Sequence, residues 1–254
     1  MKLMLFLAIL LLHQMVQGGE SLQIYTTEYP PYQSQGPNRV EGISADIVRE
    51  ILKEAQITAT ISILPWSRAE HELASKKDSV LFFSLSRTAD REKKYQWIAD
   101  ITPTRIKIWK LKKRSNIVVH SLADLNKYYL GTMEGVVTHR YLLEHGVRSE
   151  NFYRVSRDEQ LVGMLNGGHV DLIALDEVTF WSQVKQCNYS PDSFEMAFPL
   201  PQISGNAYLV ANLKTPKSTV TKLQRAWQIV KEKKIHESIR ERYLTEASKP
   251  PSSK

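Results

Sequence analysis

A run of apolar residues gives way, within a few positions, to hydroxyl and guanidinium groups. Residues 80–83 read Val-Leu-Phe-Phe, a pattern typical of a buried strand, and two serines and then Arg87 and Arg91 follow. A planar guanidinium suits a carboxylate because it donates two parallel, charge-assisted hydrogen bonds. Ligands of α/β sheets bind at such strand ends. The stretch therefore predicts a carboxylate-binding corner, although a plain surface turn in which Asp90 and Glu92 pair with the arginines fits the same composition.

The elements that would position this corner alternate between strand and helix. Residues 22–26, 59–63 and 80–83 have strand patterns, and residues 43–55 and 66–73 have helical ones. This β-α-β-α-β order predicts a parallel sheet with right-handed crossovers. The loops that follow the three strands would then meet at one edge of the sheet.

These three loops carry residues suited to holding a small ligand. The first has Tyr29 and Tyr32 on either side of two prolines, which predict a rigid, extended loop. The second has Trp66, and the third has Ser84 and Ser86 before the arginines. Because aromatic, hydroxyl and guanidinium groups converge on one edge, the three loops together indicate a binding site more strongly than any single residue does.

A second β-α-β set follows in the chain. Strand patterns lie at residues 129–133, 152–155 and 170–175, and Thr138 opens the helix between the first two. The last strand ends in Asp176, at the start of another helical pattern. Acidic residues are favoured at a helix N-terminus by the helix dipole, so Asp176 is predicted either to cap this helix or to contact a ligand.

Length and composition are those of a folded protein with a substantial core. The chain has 254 residues, 42% of them hydrophobic and 24% charged, and a formal net charge of +7. Its densest basic run, residues 107–114, is interrupted by apolar residues and has no nucleic-acid-binding motif, so we predict no nucleic-acid partner. The histidines lack metal-ligand spacing, and Cys187 is the single cysteine and has no adjacent base. We therefore predict no metal site, no cofactor and no internal disulfide.

The two ends of the chain have patterns of their own. Lys2, an apolar run over residues 3–12 and two small residues are the features of a secretory signal peptide, predicted to occupy residues 1–19. The run is shorter than the roughly 20 residues that span a membrane, although an uncleaved anchor is an alternative. Residues 247–254 contain two prolines and three serines and predict a disordered tail.

Several short motifs, taken in their order and spacing, resemble the bacterial periplasmic solute-binding proteins of polar amino-acid uptake, family 3. The motifs are Tyr29-Pro30-Pro31-Tyr32, Gly42-Ile43-Ser44-Ala45-Asp46-Ile47, Pro65-Trp66-Ser67-Arg68-Ala69, Ser86-Arg87-Thr88-Ala89-Asp90-Arg91-Glu92 with Trp97, Ser121-Leu122-Ala123-Asp124-Leu125 and Gly168-His169-Val170-Asp171. The resemblance covers about residues 20–244.

This resemblance implies the type II periplasmic binding fold, an α/β architecture. Two lobes, each a mostly parallel sheet flanked by helices, would be joined by two crossover strands as a hinge and would close on a ligand like a Venus flytrap. On this pattern residues 20–108 and 205–246 form the first lobe, and residues 109–204 form the second.

The resemblance also implies roles for individual residues. Arg91 matches the arginine that clamps the α-carboxylate of the ligand, and Asp176 matches the acid that takes its α-ammonium. Near the start of the helix in the second lobe the family usually has Ser or Thr. This chain has Val136 and Val137 there, and Thr138 carries the nearest hydroxyl. The complete set of predicted ligand-binding residues is Tyr29, Tyr32, Trp66, Ser84, Ser86, Arg91, Thr138 and Asp176.

The implied function is binding rather than catalysis. A monomeric periplasmic protein would bind an amino acid or related small carboxylate and deliver it to an inner-membrane ABC transporter. One alternative is a cyclohexadienyl-dehydratase-like enzyme on the same fold, with Glu177 as the acid; another is an orphan or sensory ligand-binding module. The residues Phe83, Val136 and Val137 depart from the family pattern and leave open both the side-chain preference and the retention of ligand binding.

Overall fold

Strands and helices alternate along residues 22–74 and 78–248, the part of the chain that the computed structural model describes. The strands are β1 Leu22–Thr26, β2 Ser34–Gln35, β3 Val40–Glu41, β4 Ala59–Ile63, β5 Val80–Ser86, β6 Tyr95–Thr104, β7 Ile106–Leu111, β8 Leu130–Met133, β9 Phe152–Val155, β10 Leu172–Asp176, β11 Phe194–Pro199 and β12 Gly205–Asn212. The α-helices are α1 Ile43–Glu54, α2 Trp66–Ala74, α3 Val137–Glu144, α4 Glu159–Gly167, α5 Glu177–Gln186, α6 Lys217–Glu232 and α7 Ile235–Ser248.

Two five-stranded sheets with the same plan organise these elements. The first has the order β4-β1-β5-β12-β6; β1 runs parallel to β4 and β5, and β12 runs antiparallel to both of its neighbours. The second has the order β9-β8-β10-β7-β11, in which β8 runs parallel to β9 and β10, and β7 runs antiparallel to both of its neighbours. Four strands of each sheet run in one direction and one strand runs against them. This confirms the prediction of mostly parallel sheets.

The chain passes twice between the sheets. Only Arg105 separates β6 from β7, so the first crossing is almost continuous strand. The second crossing, from β11 to β12, contains a short 3-10 helix, Pro201–Ile203. The backbone N–H of Ile106 donates to Ser204 Oγ at 2.9 Å, which holds the two crossings side by side. The antiparallel strand of each sheet is the one that enters from the other sheet.

The ten-residue strand β6 is an element that the sequence pattern did not predict. Asp100 and Pro103 interrupt its apolar residues and hide the strand signature. Both are tolerated because β6 lies at the edge of the first sheet, where a proline need not donate to a further strand. Asp100 also has a partner outside the sheet, since its Oδ1 accepts a hydrogen bond from Trp227 Nε1 at 2.6 Å.

Helices cover both faces of each sheet. On one face of the first sheet, Ile47 and Ile51 of α1 pack with Leu223 of α6, and all three side chains are fully buried. On the opposite face, Leu73 of α2 packs with Phe82 of β5. In the second sheet, successive residues of β10 point alternately into two separate clusters, one of which includes α4 and α5 and the other α3.

The ends of the chain are only partly described. The predicted signal peptide, residues 1–19, lies outside the described residues. Residues 247 and 248, predicted as part of a disordered tail, belong to α7 instead, and residues 249–254 of that tail are not described. None of the described helices is long and apolar enough to cross a membrane.

The packing of α6 predicts how much stability is lost when a cavity is created in the core of the first lobe. Leu223 is fully buried, so Leu223→Ala should lower the free energy of unfolding by about 2–5 kcal/mol, measured by urea denaturation. The neighbouring Lys222 is exposed, and Lys222→Ala should change this free energy by no more than about 0.5 kcal/mol. Equal losses in the two variants would contradict the assigned packing.

Candidate ligand-binding site

A cavity lies between the two sheets, at the edge where their parallel strands end. Ser84 and Ser86 at the end of β5 line it from the first sheet, and Asp176 at the end of β10 lines it from the second. Thr104 and Ile106, on either side of the first crossing, form part of its wall. Such an edge is where ligands of α/β sheets bind.

Seven of the eight predicted ligand-binding residues line this cavity. They are Tyr29, Trp66, Ser84, Ser86, Arg91, Thr138 and Asp176. The eighth, Tyr32, does not line the cavity but donates a hydrogen bond to Asp176, which does. Residues that are more than 140 positions apart in the sequence, such as Tyr32 and Asp176, are thus brought into contact by the fold.

Arg91 is a buried cation with an incomplete set of partners. Its side chain curls back so that Nη1 donates to the carbonyl oxygen of Ser86 at 3.2 Å, and its guanidinium lies 5.4 Å from the centre of the Trp66 ring. Nη2 is buried without a hydrogen-bond partner among the described residues, and the nearest carboxylate oxygen, Glu70 Oε1, is 3.7 Å away. Burial and the nearby charge of Arg140 lower the pKa of Arg91, while Glu70 acts in the opposite direction.

Arg87 has a different environment, although it lies only four positions earlier. It is exposed, and its Nε and Nη2 donate to the two carboxylate oxygens of Glu92 at 2.8 and 2.5 Å. Its guanidinium also lies 4.9 Å from the centre of the Trp97 ring. Of the two arginines, Arg87 therefore lies at the surface, and Glu92 already provides the carboxylate that pairs with it.

The end of β5 has an unusual backbone. Ser84 has a φ of 66°, in the left-handed region that residues other than glycine seldom adopt. Its Oγ donates to Gln33 Oε1 at 2.8 Å, which ties the strand end to the turn after β1. The Nε2 atom of Gln33 is buried without a described hydrogen-bond partner. Strained backbone of this kind persists where the surroundings hold it, often at ligand sites.

The two tyrosines occupy a tight turn rather than the predicted extended loop. The backbone N–H groups of Tyr32 and Gln33 both donate to the carbonyl oxygen of Tyr29, which closes the turn. The two tyrosine rings stack with their centres 5.4 Å apart. Tyr29 faces the cavity, whereas Tyr32 is buried and donates through Oη to Asp176 Oδ1 at 2.8 Å. Burial and the charge of Asp176 raise the pKa of Tyr32, which keeps this donor protonated.

Asp176 is both a helix cap and a hydrogen-bond hub. Its Oδ1 accepts from the backbone N–H groups of Val178 and Thr179 at the start of α5, in addition to Tyr32. Its Oδ2 accepts from the backbone N–H of Arg105, the residue of the first crossing, at 2.7 Å. Burial raises the pKa of Asp176, and these hydrogen bonds limit the rise. Since a carboxylate offers about four acceptor sites, Oδ2 still has room for one more donor from the cavity.

Trp66 of the first lobe and Thr138 of the second both line the cavity. The indole Nε1 of Trp66 is buried without a described hydrogen-bond partner, and a Cβ placed on Gly135 would lie only 3.5 Å from it. Thr138 is buried in the first turn of α3, and Val136, the residue before that helix, provides no side-chain cap. The two valines that depart from the family pattern, Val136 and Val137, also line the cavity.

An acidic side chain on α2 bridges the two lobes at the edge of the site. Glu70 Oε1 lies 3.7 Å from Arg91 Nη2 and 3.5 Å from Arg140 Nη1, which belongs to α3 of the other lobe. One carboxylate therefore faces two guanidinium groups. The resulting excess of positive charge favours a second anion beside Arg91.

Asp158 lines the cavity as well, although no sequence pattern singles it out. It is the last residue before α4, and its side chain does not cap that helix. Burial, reinforced by the charge of Glu159, raises its pKa to about 7. An acidic residue just before a helix has an ordinary explanation as a cap, so only the three-dimensional structure separates Asp158 from other acids near helix starts.

Glu177, the acid proposed for an enzymatic alternative, has an environment unsuited to that role. It does not line the cavity, and it pairs with Lys107 at 2.5 Å and with Arg105 at 3.4 Å. Although burial opposes the effect, the hydrogen bond and charge of Lys107 and the charge of Arg105 lower its pKa. A general acid needs the opposite shift.

Comparison with known proteins finds similarity over most of this chain. It is 22% identical over 179 residues to the L-cystine-binding protein TcyJ of Escherichia coli (strain K12), a match that covers 70% of this chain and 66% of that protein. Among solved structures, a histidine kinase sensor domain similar to periplasmic binding proteins matches with a TM-score of 0.77 and 16% identity, covering 89% of this chain and 96% of the other. The arginine-, lysine-, histidine-binding protein ArtJ of Geobacillus stearothermophilus matches with a TM-score of 0.75 and 14% identity, covering 92% and 97%.

These structural likenesses show a shared fold, and they confirm the predicted type II architecture of two lobes. The family model that describes the bacterial extracellular solute-binding proteins, family 3, matches residues 22–246, nearly the whole of the described chain. The match confirms the resemblance that the motifs indicate. On this evidence the chain belongs to the bacterial extracellular solute-binding proteins, family 3.

Proposed function

We propose that this protein binds an amino acid or a related small carboxylate in the cavity between its lobes and delivers it to an ABC-type importer. The observation that carries the proposal is the state of Arg91. Arg91 is 3% exposed, lines the cavity and keeps Nη2 without a hydrogen bond to any described residue. A buried charge with a missing partner is costly unless something pairs with it, and a carboxylate is the best geometric match.

The opposite wall of the cavity supports a zwitterionic ligand. Asp176 lies on the second sheet and Arg91 on the first, so an α-carboxylate and an α-ammonium would contact different lobes. Binding of both groups would then favour the closed arrangement over an open one. Ser84, Ser86 and Thr138 also line the cavity, and their hydroxyl groups are further hydrogen-bond partners for a ligand.

The cellular setting is part of the same proposal. The signal-peptide pattern of residues 1–19 supports export to the periplasm, and membership of the solute-binding family supports an ABC importer as the partner. We propose that the protein acts as a monomer and without catalysis. In the alternative of a sensory module the same cavity would serve a signalling partner, and capture of partners with and without ligand distinguishes the two.

The direct test is a thermal-shift screen of the twenty amino acids and small dicarboxylates. A ligand at about 100 times its dissociation constant stabilises a protein by roughly 2.7 kcal/mol, which is readily detected as a rise in Tm. We expect at least one α-amino acid to raise the Tm. Folded protein that responds to none of these compounds would contradict the proposal.

Arg91 and Arg87 provide a matched pair of variants for the carboxylate contact. Arg91→Ala should abolish the ligand-induced rise in Tm, because it removes the proposed partner of the carboxylate. Arg87→Ala should retain the rise, because Arg87 is exposed and already paired with Glu92. The Tm of ligand-free Arg91→Ala should stay close to that of the wild type. A retained ligand response in Arg91→Ala would place the carboxylate elsewhere.

The pair between Glu70 and Arg140 predicts a contribution to lobe closure. Both side chains are 37% exposed, and such pairs contribute about 0.2–1 kcal/mol. Arg140→Ala should therefore weaken ligand binding about two- to fivefold, measured by titration calorimetry, and should increase the radius of gyration of the ligand-free protein in X-ray scattering. Arg148→Ala removes an exposed pair within one lobe and serves as the control, for which neither quantity should change.

A further inference from the structure

The described lining of the cavity has more carboxyl groups than basic side chains. Arg91 is the one arginine or lysine among the described residues that line it, whereas two carboxyl groups, Asp158 and Asp176, line it as well. A simple zwitterion with one carboxylate and one ammonium would use Arg91 and Asp176 and leave Asp158 without a partner. An additional cationic group on the ligand would complete the pairing.

Asp158 is free to accept that group. Its side chain makes no hydrogen bond or ion pair with any residue in the described ranges and does not cap α4. The nearest cation along the chain, Arg157, is directed to Glu159, with Nε 4.0 Å from Glu159 Oε2. Arg157 is exposed, so it does not neutralise the cavity from inside.

Tyr29 connects Asp158 to the rest of the site. It lines the cavity from the first lobe. Burial is the main cause that raises the pKa of its hydroxyl, and the charges of Asp176 and then Asp158 raise it further. Both carboxyl groups belong to the second lobe and line the same cavity as Tyr29. An aromatic ring beside two acids is a favourable environment for an ammonium or guanidinium group, through its π face as well as through the charges.

We propose that Asp158 and Tyr29 form a side-chain pocket for a cationic group, so that the ligand is a basic amino acid or a compound with the same arrangement of one carboxylate and two cations. This inference rests on the proposed function, because it assumes that Arg91 and Asp176 hold the α-carboxylate and α-ammonium. It assigns Asp158 as the residue that selects the ligand side chain.

Protonation of Asp158 gives the pocket a characteristic pH dependence. Its pKa of about 7 means that half of the carboxyl groups are neutral at pH 7 in the ligand-free protein. A bound cation favours the ionised form, so binding releases a proton, and affinity falls as the pH falls through 7. The affinity for a basic ligand should drop about tenfold from pH 8 to pH 6.

Other ionisable groups surround Asp158 and must be separated from it. Tyr29 and Asp176 line the same cavity, Glu159 and Arg157 lie beside Asp158 in the chain, and the charges of Glu159 and Arg157 act on Glu28 of the first lobe. Comparison of L-arginine with L-citrulline removes their common contribution. The two ligands share the same α-amino and α-carboxyl groups and nearly the same shape, and only arginine carries the side-chain charge.

The test is titration calorimetry of the full chain with L-arginine, L-lysine, L-ornithine and L-citrulline at pH 8 and pH 6. At pH 8 at least one of the basic amino acids should bind at least tenfold more tightly than citrulline, and its advantage should shrink about tenfold at pH 6. Asp158→Asn should remove the advantage while citrulline binding stays within about threefold of the wild type. Glu159→Gln, the same change at the next position, should keep the advantage.

Different failures have different meanings. If citrulline or another neutral amino acid binds as tightly as the basic ones, or if the ratio is unchanged in Asp158→Asn, the inference is wrong and the proposed function stands. If no amino acid or small carboxylate binds the folded wild type, both are wrong. Should Asp158→Asn not fold, the pH dependence of the wild-type arginine-to-citrulline ratio decides, and a ratio independent of pH overturns the inference.

Discussion

A buried guanidinium without a complete partner is the constraint on which the site depends. Arg91 is held at the end of β5 by the carbonyl oxygen of Ser86 and the ring of Trp66, yet Nη2 has no hydrogen-bond partner among the described residues. The guanidinium remains charged at any ordinary pH, so its burial must be offset by an anion. Glu70 supplies part of that compensation from 3.7 Å and shares it with Arg140. The rest of the compensating negative charge must come from an anion bound in the cavity.

The hinge and the second lobe are arranged around one carboxylate. Asp176 accepts hydrogen bonds from the first crossing, from the start of α5 and from Tyr32 of the first lobe. This single side chain therefore fixes the position of α5 and joins the lobes near the crossing. A ligand donor that reached Oδ2 would be held by an acceptor that is already fixed in place, which reduces the entropy lost on binding.

Much of the architecture follows from the sequence because its signals are local. The alternation of strands and helices, the buried run before Ser84 and the cap at Asp176 are each visible within ten residues, and the structure contains all of them. The edge strand β6 is absent from that prediction because a polar residue and a proline interrupt it. The turn at Tyr29 was predicted as extended because prolines alone do not reveal which carbonyl groups the turn closes on.

Individual site residues depend on contacts that no local pattern contains. The sequence presents Arg87 and Arg91 as similar groups four positions apart, and only the position of Glu92 and the burial of Arg91 distinguish them. Asp158 resembles any acid before a helix, and only the folded structure shows that it lines the cavity. In each case the deciding feature is whether the charged group already has a partner in the folded chain. A group that lacks one can form a new ion pair or hydrogen bond with a ligand.

The most direct measurement of the central claim is a crystal structure of the protein with its ligand bound. The account predicts a ligand carboxylate oxygen about 2.7–2.9 Å from Arg91 Nη2, in the cavity between the two sheets. A ligand bound with its carboxylate elsewhere, while Nη2 of Arg91 keeps only protein neighbours, would contradict it.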